Sequence, residues 1–99
     1  MFKNISGTAA TALLTAGDNV SKIKEIRFTN THAGFVTSID LYVESNSLGK
    51  FYIAKGLVVN AGNTIVLENG FDFDNTTTGY SLYIELSANV TMDVIILKS

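Results

Sequence analysis

The chain has no cysteine, no proline and no tryptophan, and it carries a single histidine. Without cysteine there is no disulfide framework, no thiolate metal site and no cysteine nucleophile, and one histidine cannot build a multi-histidine zinc site. Charge is scarce as well: 16% of the 99 residues are charged, against about a quarter in an average domain. Seven basic against nine acidic residues leave a net charge of −2, so the chain lacks the positive field that supplies most nucleic-acid affinity. Long apolar runs are missing too. The longest, Val94-Ile-Ile-Leu97, falls far short of the ~20 residues of a helical membrane span. Thr8, Thr11 and Thr15 interrupt the one stretch that faintly resembles a secretory signal. Neither nucleic acid nor membrane is an expected partner, and no cleaved leader is expected.

What the chain does have is apolar residues, at 46% of the total, set among Thr, Asn and Ser, with a mean hydropathy of +0.27. A domain this small hides only a little over ~60% of its unfolded surface, so a composition this apolar leaves surface over once one core is filled. Leftover apolar surface points to a protein partner.

The apolar residues recur with period two, in segments rich in β-branched and aromatic side chains and punctuated by Asn and Gly clusters. This predicts an all-β protein: residues 1–99 as a single antiparallel β-sandwich of about seven or eight strands, a jelly roll or an Ig-like Greek key. Residues 1–19 read as an N-terminal arm or an edge strand, with a short strand at Leu13–Ala16. Ile26 and Phe28 share one face of a strand ending near Asn30, while Ile23 has the wrong parity, which calls for a bulge near Lys24. Ile39, Leu41 and Val43 alternate with polar residues, and a hairpin to Phe51 and Ile53 would set Val43 against Phe51 and put Tyr42 and Tyr52 together on the outer face. Leu57–Val59 and Thr64–Glu68 flank the turn Asn60-Ala-Gly-Asn63. For the last two strands, apolar matching favours a three-residue loop, Ala88-Asn-Val90, that sets Leu86 against Met92, Ile84 against Val94, Leu82 against Ile96 and Tyr83 beside Ile95. That pairing also puts Glu85 opposite Asp93, a like-charged contact that a Greek-key order separating the strands would avoid.

Few residues suggest chemistry. The segment Glu68-Asn-Gly-Phe-Asp-Phe-Asp-Asn75 offers oxygen ligands for a hard cation, but with Asp72 as position one, Thr77 stands where a calcium loop needs Gly and the terminal Glu is absent. A solvated loop with capping Asx side chains is the expectation. His32 lies in a turn, Asn30-Thr-His-Ala-Gly34, with no nucleophile elbow, phosphate loop or paired carboxylates to make it catalytic. Lys22, Lys24 and Arg27 are the only local cation cluster, and plain alternation places Lys24 and Arg27 on opposite strand faces, as at a solvated sheet edge. No catalytic residue, cofactor or metal is therefore expected. The candidate interface consists of the outward residues Tyr83, Ile95, Leu97, Val58, Val66, Tyr42 and Tyr52. A glycan-binding or adhesion module, using the outward tyrosines and the Phe71–Asn75 loop, is the alternative reading.

The order of segments Val20–Asn30, Ile39–Val43, Tyr52–Ala54, Leu57–Leu67, Gly79–Ile84 and Asp93–Ile96 resembles the small β-sandwich virion proteins of tailed bacteriophages. The resemblance implies a non-enzymatic subunit that decorates or cements the capsid or sits at the neck or tail, assembled in the host cytoplasm. It also implies a homo-oligomer, with a trimer preferred, and other virion proteins as partners.

Overall fold

Alternation along each apolar segment is realised as nine β-strands: β1 (Phe2–Ser6), β2 (Thr11–Leu14), β3 (Lys22–Asn30), β4 (Thr37–Ser45), β5 (Gly49–Val59), β6 (Thr64–Leu67), β7 (Phe71–Asp72), β8 (Ser81–Leu86) and β9 (Thr91–Lys98). They come from a computed structural model that describes Met1–Ser99, and no helix in it is long and apolar enough to cross a membrane. One sheet has the order β1-β9-β3-β6, with β7 also on β3, and the other has the order β2-β8-β4-β5. All pairings are antiparallel.

The pairings are nested. β1 pairs with β9, β2 with β8, β3 with β6 and β4 with β5. The sequence midpoint of Phe2 and Ile95 lies between Leu48 and Gly49, and that of Ile26 and Leu67 between Asn46 and Ser47. The whole chain is thus one long hairpin with its tip near Asn46–Gly49, wound so that β3 also meets β9 and β4 also meets β8. A two-stranded ribbon rolled into two facing layers, here of four strands plus the short β7 and of four strands, is a jelly roll, which decides between the two sandwich topologies that the sequence allowed.

Between the layers lies one cluster of 17 buried apolar side chains, including Phe28, Ile39, Leu41, Leu82, Ile84, Met92 and Ile96. Alternation on each strand decides membership. In β9, Met92, Val94 and Ile96 are buried while Thr91 and Asp93 are exposed, and in β8 Leu82, Ile84 and Leu86 are buried. The bulge expected near Lys24 is present between Ile23 and Glu25, and it returns Ile23 to the core face with Ile26 and Phe28. It also changes the reading of the cations: Lys24 and Arg27 are both exposed.

Several expectations are corrected. β8 and β9 are not neighbours but lie in opposite sheets, so Leu86–Met92, Ile84–Val94 and Leu82–Ile96 are not strand partners. Their apolar matching arises because both strands face the same core, which period-two patterning cannot distinguish from pairing in one sheet. Likewise β5 and β6 belong to different sheets, and Asn60–Asn63 carries the chain across the sandwich, with Gly62 at φ 75° and its N–H donating to the Asn30 carbonyl at 2.8 Å. The N-terminal segment is two strands. β1 edges the first sheet, with the Met1 amine donating to the Ile96 carbonyl at 3.0 Å, and β2 runs over Thr11–Leu14 instead of Leu13–Ala16.

Two buried asparagines tie the connections to the layers. Asn75 Nδ2 donates to the carbonyls of Thr15 (3.1 Å) and Tyr80 (3.0 Å), and its Oδ1 accepts from the Val20 N–H at 2.9 Å. Asn30 Nδ2 donates to the carbonyls of Phe35 and Val59, and its Oδ1 accepts from the His32 N–H. Every buried side-chain polar atom has a partner, which removes the desolvation penalty of placing amides inside a small core.

Candidate functional site

A rolled ribbon leaves two outer faces, and each is defined by the residues whose parity points away from the core. On the first sheet, one row across four strands reads Phe2, Ile95, Arg27, Val66. The next reads Asn4, Asp93, Thr29, Thr64. Leu97 stands opposite Glu25 on the other side of the first row. Phe2 is 80% exposed and Leu97 40%, while Ile95 and Val66 are half-buried. Arg27 Nε donates to Glu25 Oε2 at 2.7 Å, and this hydrogen bond, with the carboxylate's charge, raises the guanidinium pKa further. The polar row satisfies itself: Asn4 donates to Asp93 at 2.7 Å, and the hydroxyls of Thr29 and Thr64 meet at 2.7 Å. Phe2, Ile95 and Leu97 form an apolar patch at the β1–β9 side, and the exposed Arg27, paired with Glu25, separates it from Val66.

The second sheet presents a tyrosine ladder. Tyr52, Tyr42 and Tyr83 lie side by side on β5, β4 and β8. The Tyr42 and Tyr83 rings stack with centroids 5.5 Å apart and 24° between planes, and Tyr52 meets Tyr42 edge-on at 5.5 Å. Lys50 Nζ sits 4.1 Å from the Tyr42 ring centroid, and Lys55 Nζ sits 4.4 Å from that of Tyr52. Beside the ladder, Asp40 and Glu85 stand directly opposite each other, a repulsive placement by strand register. Each finds compensation. Asp40 accepts from the Gly56 N–H at 2.9 Å and lies 3.4 Å from Lys55, whose pKa it raises, and Glu85 accepts the Tyr42 hydroxyl at 2.8 Å. Burial first, and then the bond to Glu85, push the Tyr42 phenol far above the ordinary phenol range, so it remains a donor at any physiological pH.

The candidate interface residues therefore divide. Ile95, Leu97 and Val66 share the first face, whereas Tyr83, Tyr42 and Tyr52 share the other, so Tyr83 is not beside Ile95 as a β8–β9 hairpin required. Tyr42 is only 3% exposed, covered by its neighbours in the ladder, and does not offer the outward surface that its parity implied. Val58 is exposed at the far end of β5, opposite Ser38 and close to the exposed Val36. Phe2, Phe35, Val36, Leu48 and Phe51 are large exposed apolar residues that the sequence reading left out. Phe2 was legible in principle, since Phe2, Asn4 and Ser6 alternate with the buried Ile5. Phe51 has core parity but lies where the β4–β5 hairpin extends beyond the core, edge-on to Tyr80 at 6.0 Å.

His32 is a turn residue: its Nδ1 accepts the N–H groups of Gly34 and Phe35, each at 3.1 Å, and its ring stacks on Phe35 at 4.6 Å. In the acidic segment, Asp74 accepts from the Thr76 hydroxyl and N–H, which holds its carboxyl below the usual range. Asn75 is spent on the three bonds described above, and no group of three or more His, Cys, Asp or Glu gathers to hold an ion.

The fold and its outer faces define a small jelly-roll β-sandwich. No protein-family model matches the chain, and no curated protein does. Among solved structures it is similar to one described as "Structure of infectious bursal disease virus Gx strain", with 11% sequence identity and a TM-score of 0.41. That similarity covers 100% of this chain and 29% of the other, so the chain spans less than a third of that neighbour's length.

Proposed function

We propose that the protein is a non-enzymatic virion structural subunit of a tailed bacteriophage, a capsid decoration or cement protein or a neck or tail component, acting by assembly with itself and with other virion proteins. The observation that carries this is the apolar surface of Phe2, Ile95 and Leu97 on one sheet face, with Val66 beyond the intervening Arg27. Phe2 is 80% exposed and lies beside Ile95, and such contiguous exposed apolar side chains mark surfaces that partners cover. Together these side chains present about 300 Å² of apolar surface per subunit, worth about 7 kcal/mol of gross burial, the same order as the ~4–15 kcal/mol cost of association. The sequence resemblance to phage virion proteins supplies the setting and the preference for a trimer, in which one patch serves every subunit.

The test has two parts. Light scattering on the purified protein at micromolar concentration should report a homo-oligomer, and an Ile95→Asp/Leu97→Asp variant should be a folded monomer. In purified particles the protein should be present stoichiometrically. A monomeric wild type, or a variant that assembles unchanged, refutes the interface; absence from particles refutes the virion role.

A further inference from the structure

At the tip end of the sandwich, the β4–β5 hairpin and the β7–β8 connection enclose a cleft of about 320 Å³, lined among others by Glu44, Asn46, Thr77, Thr78 and Tyr83. Its volume lies near the lower end of the ~300–1,000 Å³ typical of small-ligand sites, but its chemistry differs from most of them. Apart from Ala16 and Tyr83 the lining is polar, and Glu44 is its only ionised side chain. None of the five side chains named is engaged in a hydrogen bond to the rest of the chain. In the nearby segments, by contrast, Asp18 takes the Thr15 N–H, Asp74 takes Thr76, and Asn75 takes three backbone groups. The cleft thus gathers a carboxylate, an amide, two hydroxyls and a phenol with their hydrogen-bonding capacity unspent.

We propose that this cleft binds a short neutral saccharide. A pyranose ring has an apolar C–H face and a rim of hydroxyls, which suits one aromatic wall among several short polar groups. A carboxylate accepts hydroxyl donors with the strength of a charge-assisted bond, whereas an acidic sugar, a phosphate or a nucleic acid would meet Glu44 with like charge. A hydrophobic ligand would strand the polar lining without partners. Tyr83 is suited to the aromatic role because its ring is held in advance: it stacks on Tyr42, whose hydroxyl is fixed by Glu85. Holding the ring before binding lowers the ordering cost that weakens most shallow sites. The β4–β5 tip, the β7–β8 connection and β8 converge here only because the ribbon is rolled, so no sequence spacing marks the site. The cleft does not involve the apolar stripe of the opposite sheet, so the inference stands or falls separately from the assembly reading.

The experiment is a titration of the full-length, isotope-labelled protein with methyl glycosides of glucose, galactose and mannose and with N-acetylglucosamine, following backbone amide resonances. At least one probe should give saturable shifts concentrated at Ser45–Ser47 and Thr77–Tyr83. Glu44→Gln, an exposed change with no intramolecular bond to lose, should weaken that binding about tenfold, the difference between a charged and a neutral hydrogen bond. Tyr83→Ala should weaken it by at least as much, while Tyr83→Phe, which keeps the ring, should retain binding within about threefold. Lys98→Ala, on the other sheet, should bind as wild type. No saturable shift with any of the four probes, shifts that map to another surface, or binding undiminished in Glu44→Gln would each overturn the proposal.

Discussion

Replacing Asn75 by Ala should be among the most damaging single changes outside the apolar core. The side chain is fully buried and joins three separate segments: it donates to Thr15 and Tyr80 and accepts from Val20. Its loss removes three hydrogen bonds worth about 0.5–1.5 kcal/mol each and leaves one buried N–H and two carbonyls without that partner. The backbone would retain its own contacts, since the Asn75 carbonyl still accepts from Gly17 and Asn19. A cost of about 3–4 kcal/mol results, a large part of the ~5–15 kcal/mol that holds a domain of this size together. With a urea slope of roughly 1.5–2 kcal/mol per molar, the unfolding midpoint should fall by about 2 M at constant slope. Asn75→Asp sharpens the test. It keeps an acceptor for Val20 but turns a carboxylate towards two carbonyls, which raises that carboxyl's pKa in the folded state. Stability relative to wild type should therefore be better preserved below the ordinary carboxyl pKa of ~4 and be lost as pH rises past it. Chemical denaturation at pH 4 and pH 7 reads both effects. An Asn75→Ala midpoint within about 0.5 M of wild type, or an Asp variant indifferent to pH, would refute the assignment of Asn75 as the tie between these connections.

Tyr42→Phe should cost about 1–2 kcal/mol in urea unfolding through loss of the bond to Glu85, and it should also remove a high-pH transition from the absorbance titration of the phenols. The sign follows from the raised pKa of Tyr42: its contribution to stability is complete below the unfolded phenol value of ~10 and is lost as pH rises above it, so wild type should weaken above about pH 10 more than Tyr42→Phe does. His32→Ala should cost about 1 kcal/mol and speed hydrogen exchange at the Gly34 and Phe35 amides, whose acceptor it removes; unchanged protection there would contradict the described turn. Gly79→Ala should destabilise by roughly 1–3 kcal/mol in thermal unfolding, because a Cβ at that position would sit inside contact distance of the Asp74 carbonyl and carboxyl oxygens.

Local features were the most legible from sequence. The Val43–Phe51 and Tyr42–Tyr52 pairs fall where alternation and a short hairpin place them, and the bulge at Lys24 follows from one residue of wrong parity. What failed was the assignment of partners across the layers. β8 and β9 carry complementary apolar patterns, yet so does any pair of strands facing one core, and the order of a sheet is decided by how the ribbon rolls. The candidate surface inherited that failure: parity identified Ile95, Leu97 and Val66 as outward, but their separation from the tyrosines depended on sheet membership. Phe2 went unrecognised because a five-residue strand beside a glycine carries too short a period to distinguish it from an arm. The cleft was invisible for the same physical reason, its walls being drawn from connections far apart in the chain.

The nested pairing also sets a timetable for biosynthesis. Of the nine strands β1 is made first, and its partner β9 is made last. At ~5–20 residues per second, Phe2 and Ile5 wait roughly 5–20 s for the edge that will hold them, while β4 and β5 can pair soon after the tip emerges. The hairpin at the tip can close within microseconds once both its arms are free, but the outermost turn of the ribbon must await the synthesis of β9. The surface that we assign to assembly is therefore among the last parts of the sandwich to exist: the Phe2–Ile95 contact can form only after β9 has been made, some ninety residues after Phe2.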